Sequence, residues 1–318
     1  MPIRRLRLLF QAQCQHYQAR EHHGWSYARW HTSIGSKCVL HFGHTLCMVL
    51  SSADNASSVA LAYSREWAIR ITHEQQMHKV SCMLNLTYND SWLPEHGQLF
   101  KDDLQRFFKR LRKAGFKFRY VASGEYGDKT RRPHFHIALF GVDFSDDRRA
   151  FGRAVGGDLT FTSDVVAKVW PKGNHLIGSL NFESAAYIAR YILKKIKGLQ
   201  QPEPLYIDDV TGEVLLPNPE FMLMSKGIGR SWFRDFFMSD VFPSASVVTT
   251  QGSKAPVPRY YKSLLKELGS DLALDMQYRS SARAELEVER LAFENLPVRK
   301  SARSLVSSSR SNLSKRFL

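Results

Sequence analysis

Phe116-Lys-Phe-Arg-Tyr-Val-Ala122, then Gly124-Glu-Tyr-Gly-Asp-Lys-Thr-Arg-Arg-Pro133, then His134-Phe-His-Ile-Ala-Leu-Phe140 is the stretch whose reading decides the fold. The first segment alternates as a strand with one face on a core, the second is a Gly-rich polar turn, and the third is another strand. Residues two apart in a strand share a face, so His134 and His136 project together while Phe135 enters the opposite side.

Working outward, Leu99, Phe100, Leu104, Phe107, Phe108 and Leu111 mark the apolar stripe of a helix over 98–114. Lys101, Arg106, Lys109, Arg110, Arg112 and Lys113 lie beside that stripe, and Gly115 is a natural stop. Val80 to Tyr88 reads as a buried strand ended by Asn89-Asp90, and the segment from Ser64 to Glu74 suits a helix. The β-α-β-turn-β order predicts an α+β fold: a central, largely antiparallel sheet of split βαβ (ferredoxin/RRM-like) type flanked by helices. Helices are predicted over Asp164–Trp170 and Ser184–Lys197, with a hairpin around Thr211-Gly212 between Tyr206 and Leu215. Residues 258–295 read as helix-rich, with Pro258 near the start and a possible break at Gly269.

Four segments follow: an atypical or poorly ordered stretch over 1–62, rich in His, Gln, Ser and Trp; a main domain over 63–200; a hairpin and helix-rich region over 201–296; and a basic, disordered tail over 297–318. The basic, briefly apolar N-terminus is too short for a secretory core, and no apolar run reaches the ~18 residues of a membrane helix, so no membrane association is expected.

The chain has 318 residues, 43% hydrophobic, and 45 Lys+Arg against 30 Asp+Glu give a formal charge of +15. That size supports a real core, and such a cationic excess displaces counterions from a polyphosphate, pointing to nucleic acid. Charge alone does not separate a nuclease from a packaging or RNA-binding protein. Cys14, Cys38, Cys47 and Cys82 form no C-x-x-C pair and fit no zinc spacing, so they read as small hydrophobes in a reducing compartment.

Two imidazoles on one strand face chelate a divalent ion if a third ligand is near, and Glu125, at the end of the preceding strand, can supply it. Asp128 is the competitor for that place. Alone, an H-x-H pair is two ordinary surface histidines. The second constellation is Tyr187-Ile-Ala-Arg-Tyr191-Ile-Leu-Lys194-Lys195, where spacings of four and seven or eight align two phenols and an ammonium on one helical face. Ile188, Ile192 and Leu193 pack that helix on the sheet. A phenol is a weak nucleophile near neutrality and needs a polarised target and a stabilising cation. Alone, the pair is two half-buried tyrosines.

Together the two constellations form a pattern that resembles the HUH endonuclease superfamily, in its two-tyrosine replication-initiator branch. Ser123-Gly-Glu-Tyr-Gly, Arg132-Pro-His-Phe-His-Ile-Ala-Leu-Phe-Gly141 and Phe182-Glu-Ser-Ala-Ala-Tyr-Ile-Ala-Arg-Tyr-Ile-Leu-Lys-Lys195 are similar to replication initiators of small single-stranded DNA phages, the gokushovirus type within Microviridae. Ser64-Arg-Glu-Trp-Ala-Ile-Arg, Leu86-Thr-Tyr88, Gly227-Ile-Gly229 and Pro258-Arg-Tyr-Tyr261 fit as well, so the resemblance spans residues 62–265. It implies an HUH-type domain in which His134, His136 and Glu125 hold Mg²⁺ or Mn²⁺. Tyr187 or Tyr191 would nick a single-stranded DNA origin, forming a 5′-phosphotyrosyl link and a 3′-OH primer, and the displaced strand would later be rejoined. Lys194 or Lys195 would support the chemistry, and Lys129, Arg131, Arg132 and Arg190 would contact DNA. Host helicase and polymerase, in the cytoplasm of the bacterial host, would be the partners. A non-catalytic protein stacking single-stranded nucleic acid is the alternative, and a transposase or relaxase of the same superfamily ranks lower.

The resemblance fails in one place. Such phage proteins carry Cys-Gly-Gln-Cys-x-x-Cys-Arg shortly before the Ser-Arg-Glu-Trp segment, where this chain has Ser52-Ala-Asp-Asn-Ala-Ser-Ser-Val-Ala60. The codons AGT GCG GAC AAT GCA TCG AGT GTC GC encode the latter and, read from each third base, give Cys-Gly-Gln-Cys-Ile-Glu-Cys-Arg. A frameshift covering residues 1 to about 60 is therefore expected. Sequencing that stretch of the gene checks it: codons unable to give the alternative reading end the idea.

Overall fold

The computed structural model describes residues 30–32, 37–42, 45–50, 53–127, 130–154, 157–194, 205–207, 212–249 and 252–294, and scattered positions from 296 to 309. Met1–Ser52 and Ala53–Leu318 are two compact units. In the first, β1 (Trp30–Thr32), β2 (Lys37–Phe42) and β3 (Thr45–Leu50) form an antiparallel sheet in that order. The sequence reading assigned no element to this stretch. Val39, Leu40 and Phe42, then Leu46, Met48 and Val49, give near-continuous apolar runs without the period-two alternation that marks a half-exposed strand.

The second unit begins with a helix, Ala53–Gln76, which starts eleven residues before the predicted Ser64. Its sheet contains β4 (Ser81–Tyr88), β5 (Arg119–Tyr126), β6 (Pro133–Phe140), β7 (Arg148–Arg153), β8 (Leu159–Ser163), β9 (Gly173–Gly178) and β12 (Phe221–Met224). The seven strands lie in the order β12-β5-β6-β4-β9-β8-β7, and every pairing is antiparallel. The expected α+β architecture is thus present. Two small ribbons complete the strands: β10 (Tyr206–Ile207) with β11 (Val214–Leu215), the predicted hairpin, and β13 (Ser246–Val248) with β14 (Lys254–Pro256). β12 falls in the stretch read as a separate C-terminal region, yet it pairs with β5 and forms one edge of the main sheet.

Alternation along the central strands sends each set of side chains to its own layer. Leu84, Leu86, Ala122, Phe135, Ile137 and Leu139 pack with Leu104, Phe107, Phe108 and Leu111 of the helix Lys101–Lys113 and with Val166, Val169 and Trp170 at the helix Asp164–Val169. Asp102 and Asp103 in the first turn and Arg110, Arg112 and Lys113 in the last suit the helix dipole, and Gly115 (φ +95°) ends it as expected. On the other face Met83, Val121, Ala138 and Phe140 meet Trp67, Ala68 and Ile71 of the first helix and Ala185, Ile188 and Ala189 of the helix Phe182–Lys194. That last helix is started by a reciprocal cap. Asn181 Oδ1 accepts from the Ser184 N–H and Ser184 Oγ accepts from the Asn181 N–H, each at 2.8 Å.

The C-terminal helices Arg259–Leu268 and Ser270–Arg290 meet at Gly269, the predicted break. The described residues between 298 and 309 are helical, where disorder was expected; Val298, Leu305 and Val306 space apolar groups within the Ser/Arg/Lys run. Among the described residues no helix is long and apolar enough to cross a membrane.

Trp232, Phe233, Phe237, Tyr261 and Leu265 build a further core against Ile69. At its centre the buried His73 stacks on Trp232 with ring centroids 3.4 Å apart, and its Nδ1 shares a 2.9 Å hydrogen bond with the Tyr261 hydroxyl. Burial pushes the His73 imidazole down from 6.5 to about 3. The folded protein therefore refuses a proton that the unfolded chain accepts below 6.5, so stability falls as pH drops through that value. From linkage, about 2 kcal/mol should be lost between neutrality and pH 5 from this group alone. Denaturant unfolding across pH 5–7 checks it: His73→Gln should be less stable at pH 7 but have a flatter acid limb than the parent.

Candidate metal centre and tyrosine

β5, β6 and β4 hold the site through their register. Glu125 faces His134, Ser123 faces His136, and on the other side Asn85 faces His136 and Thr87 faces His134. All six side chains share one face of the sheet by alternation. Gly124 makes the Ser-Gly-Glu segment possible, since a Cβ there would lie 2.7 Å from the Phe221 ring of β12 and 3.2 Å from Phe135. The turn before β6 is closed by Arg131 N–H to Gly127 O at 2.9 Å and Gly127 N–H to Arg132 O at 3.1 Å.

The two imidazoles and the carboxylate converge. His134 Nε2 and His136 Nε2 each lie 2.7 Å from the same oxygen, Glu125 Oε1. The three groups offer ligand atoms all within 4.8 Å of one another. On the outer side, His134 Nδ1 donates to the Arg132 carbonyl at 2.9 Å. His136 Nδ1 meets Asn85 Oδ1 at 2.6 Å, an amide oxygen that accepts the ring proton. With both Nδ1 atoms protonated, neutral rings turn both Nε2 lone pairs toward a carboxylate oxygen. Three acceptors pointing at one another need a positive charge between them. Burial lowers the His136 pKa, opposing a second proton on that ring, although Glu125 pulls the other way. Burial pushes the Glu125 carboxyl up, but positive charge at the His134–His136 side outweighs this and leaves it below the ordinary range, hence ionised. Glu125 Oε2 is buried with no hydrogen-bond partner among the described residues. A divalent cation fits this nitrogen, nitrogen and oxygen donor set.

The helix Phe182–Lys194 lies on the same face as the imidazoles. Tyr187 is half-buried, its hydroxyl donates to Glu125 Oε1 at 3.3 Å, and its ring meets His136 edge-on with centroids 4.7 Å apart. One phenol oxygen thus stands beside the carboxylate oxygen of that donor set. The side chains of Arg190, Tyr191 and Lys194, and all of Lys195, Lys129 and Asp128, lie outside the described residues. Arg132 donates to the Tyr88 carbonyl at 2.7 Å and pairs with Asp90, so it ties the turn to the end of β4. Arg131, half-buried, occupies a left-handed position (φ +52°) in that turn.

Sequence reasoning missed Asn85. A single amide amid the apolar run Met83-Leu84-Asn85-Leu86 was the signal, but only the pairing of β4 with β6 shows which residue it serves.

Residues 81–196 match the family model described as replication-associated protein ORF2/G2P. The chain is 32% identical over 217 residues to replication-associated protein VP4 of Bdellovibrio phage phiMH2K, covering 65% of this chain and 64% of that protein. It is 32% identical over 230 residues to replication-associated protein ORF2 of Spiroplasma virus 4, covering 67% of each. With replication-associated protein ORF4 of Chlamydia phage 1 the identity is 27% over 233 residues, 70% of this chain and 55% of that one. The chain therefore spans less than two thirds of the phiMH2K protein and just over half of the Chlamydia phage protein. No solved structure matches.

Mn²⁺ titration followed by loss of the free-ion EPR signal checks the centre. His134→Ala, His136→Ala and Glu125→Ala should each abolish specific uptake. Asn85→Ala should keep the fold but weaken uptake roughly 10- to 100-fold, as expected for a residue that orients a ligand. Unchanged affinity in Asn85→Ala would remove it from the site.

Proposed function

This chain belongs to the replication-associated protein family of small phages, and from that premise we propose that it initiates rolling-circle replication by nicking single-stranded origin DNA with a tyrosine. The observation that carries the reading is the 3.3 Å approach of the Tyr187 hydroxyl to the carboxylate oxygen shared by His134 and His136. His134, His136 and Glu125 would hold Mg²⁺ or Mn²⁺, which when bound supplies the positive charge that polarises a phosphodiester and makes its phosphorus electrophilic.

Around that charge the chain's own groups act. The hydrogen bond to Glu125 holds the Tyr187 oxygen at the cluster, and Ala185, Ile188 and Ala189, packed on the sheet, fix the helix that carries it. The phenol loses its proton and its oxygen bonds to phosphorus, while the bond from phosphorus to the 3′ oxygen breaks. That oxygen takes up a proton and leaves as a free 3′-OH, the primer end. The product is a 5′-phosphotyrosyl ester that keeps the energy of the broken bond, so rejoining needs no ATP. Tyr191, one turn further along the same helix, is the second nucleophile for strand transfer, and Lys194 or Lys195 supports developing charge. The cationic balance of the chain, +15, suits an acidic polymer as substrate. Lys129, Arg131 and Arg190 are the proposed phosphate contacts. Arg132 would join them only by exchanging its exposed partner Asp90, a weak surface pair, for a phosphate. Host helicase and polymerase in the bacterial cytoplasm would take over from the 3′-OH.

The decisive experiment incubates the protein with single-stranded DNA containing the phage origin and Mn²⁺, then looks for an adduct that survives denaturation. Adduct should form with the parent, fall at least 100-fold in Tyr187→Phe/Tyr191→Phe, and vanish with EDTA. DNA binding with no adduct under any condition would instead establish a binding protein without catalysis.

A further inference from the structure

Trp92 sits where a tryptophan has little structural reason to be. It is 52% exposed, and among the described residues no ring stacks on it, whereas Trp67, Trp170 and Trp232 are buried. Its turn, Asp90–Trp92, is nonetheless held firmly. Asn89 caps it by accepting from the Trp92 N–H at 3.0 Å, and the Asn89 N–H donates to the Lys172 carbonyl at 3.0 Å. Asp90 pairs with Arg132, two residues before His134. The turn follows Thr87 and Tyr88 at the end of the sheet where Thr87 faces His134. Trp92 lies five positions beyond Thr87, a span of at most about 18 Å even fully extended.

A second aromatic pair involves the same loop. His96 and Tyr206 stack with centroids 4.5 Å apart, and Tyr206 is 43% exposed. The strand-to-helix loop that carries Trp92 and His96 is fastened to the end of β5 by the Leu99 N–H, which donates to the Tyr126 hydroxyl at 3.0 Å. Gln98 joins it to the β10–β11 ribbon by donating to the Leu216 carbonyl at 2.9 Å.

We propose that Trp92 is a platform on which bases of the single strand flanking the scissile phosphodiester stack. This rests on the single-stranded DNA reading above and adds where the bases go. The occupant follows from three features. A water-exposed indole on a capped turn offers a π-face that every base can use. The turn is continuous with the proposed nicking centre through Arg132 and Thr87. The chain's net positive charge favours a polyanion over an apolar partner. A stacking platform needs no base identity, so it would hold any sequence in register and leave origin choice to other contacts.

Fluorescence anisotropy with a labelled 20-nucleotide oligo-dT in EDTA tests it, because stacking does not require the ion. Trp92→Ala should lower affinity about tenfold, and Trp92→Phe, which keeps a ring, should stay within about threefold of the parent. The salt slope should be the same in all three, since no phosphate contact is lost. Mn²⁺ uptake and thermal midpoint should match the parent in both variants, showing the fold and ion cluster intact. If Trp92→Ala binds oligo-dT as tightly as the parent while the parent binds and nicks DNA, the platform is wrong and the nicking reading stands. If Trp92→Ala instead dissociates an oligomer of the parent and leaves DNA binding untouched, the face belongs to a second copy and the proposal falls. A parent that binds no single-stranded DNA at all takes down the single-strand reading and the platform with it.

Discussion

Two imidazole nitrogens each come to 2.7 Å from one carboxylate oxygen on a largely buried patch of the sheet, with their lone pairs turned inward. Each ring proton is drawn outward, by the Arg132 carbonyl on one ring and by Asn85 on the other, which leaves the inner nitrogens as acceptors. The carboxylate carries a second oxygen, Oε2, that no described residue satisfies. A buried carboxylate oxygen without a donor is costly, and a cation held by this donor set would offset that cost. The rest of the unit can be understood as the means of enforcing that convergence.

Enforcement comes from the middle of the sheet. β5, β6 and β4 are flanked on either side by further strands and covered on both faces, so the backbone that positions Glu125, His134 and His136 is nearly immobile. Phe135, between the histidines, is buried against Tyr88, Trp170 and Phe221, which fixes the strand's rotation and hence the direction of both imidazoles. The opposite face receives the tyrosine helix, anchored by the small residues Ala185 and Ala189 and by Ile188, all fully buried. Small residues let that helix approach the sheet closely enough for a phenol to reach a strand-borne carboxylate.

Much of this was readable from the chain. The i, i+2 spacing put both histidines on one face, and the turn length brought Glu125 opposite His134. What could not be read was long-range. Arg148–Arg153 has no apolar alternation because it is an edge strand with exposed side chains, and Gly173–Gly178 mixes glycine, asparagine and histidine, so neither looked like sheet. Phe221–Met224 looked like part of another region until its register with β5 was seen. Asn85 read as a polar interruption of a buried strand. Periodicity shows which face a residue takes and is silent about which strand lies next to it.

The C-terminal third bears on the chemistry for a different reason. The first helix of this unit carries Ala68 and Ile71 into the layer beneath the tyrosine helix and Ile69 into the Trp232–Tyr261 core. Phe182, at the start of the tyrosine helix, packs against both of these clusters. Arg70, stacked between Trp67 and Tyr260 at about 4 Å from each ring and bonded to the Ile228 carbonyl, clamps the same junction. A displacement of the C-terminal helices would therefore be transmitted to Phe182 and tilt the helix five residues before its first phenol. In the proposed nicking reaction, reach to phosphorus would tolerate errors of only about 1 Å, so residues far from the cluster would help set the position of the Tyr187 oxygen.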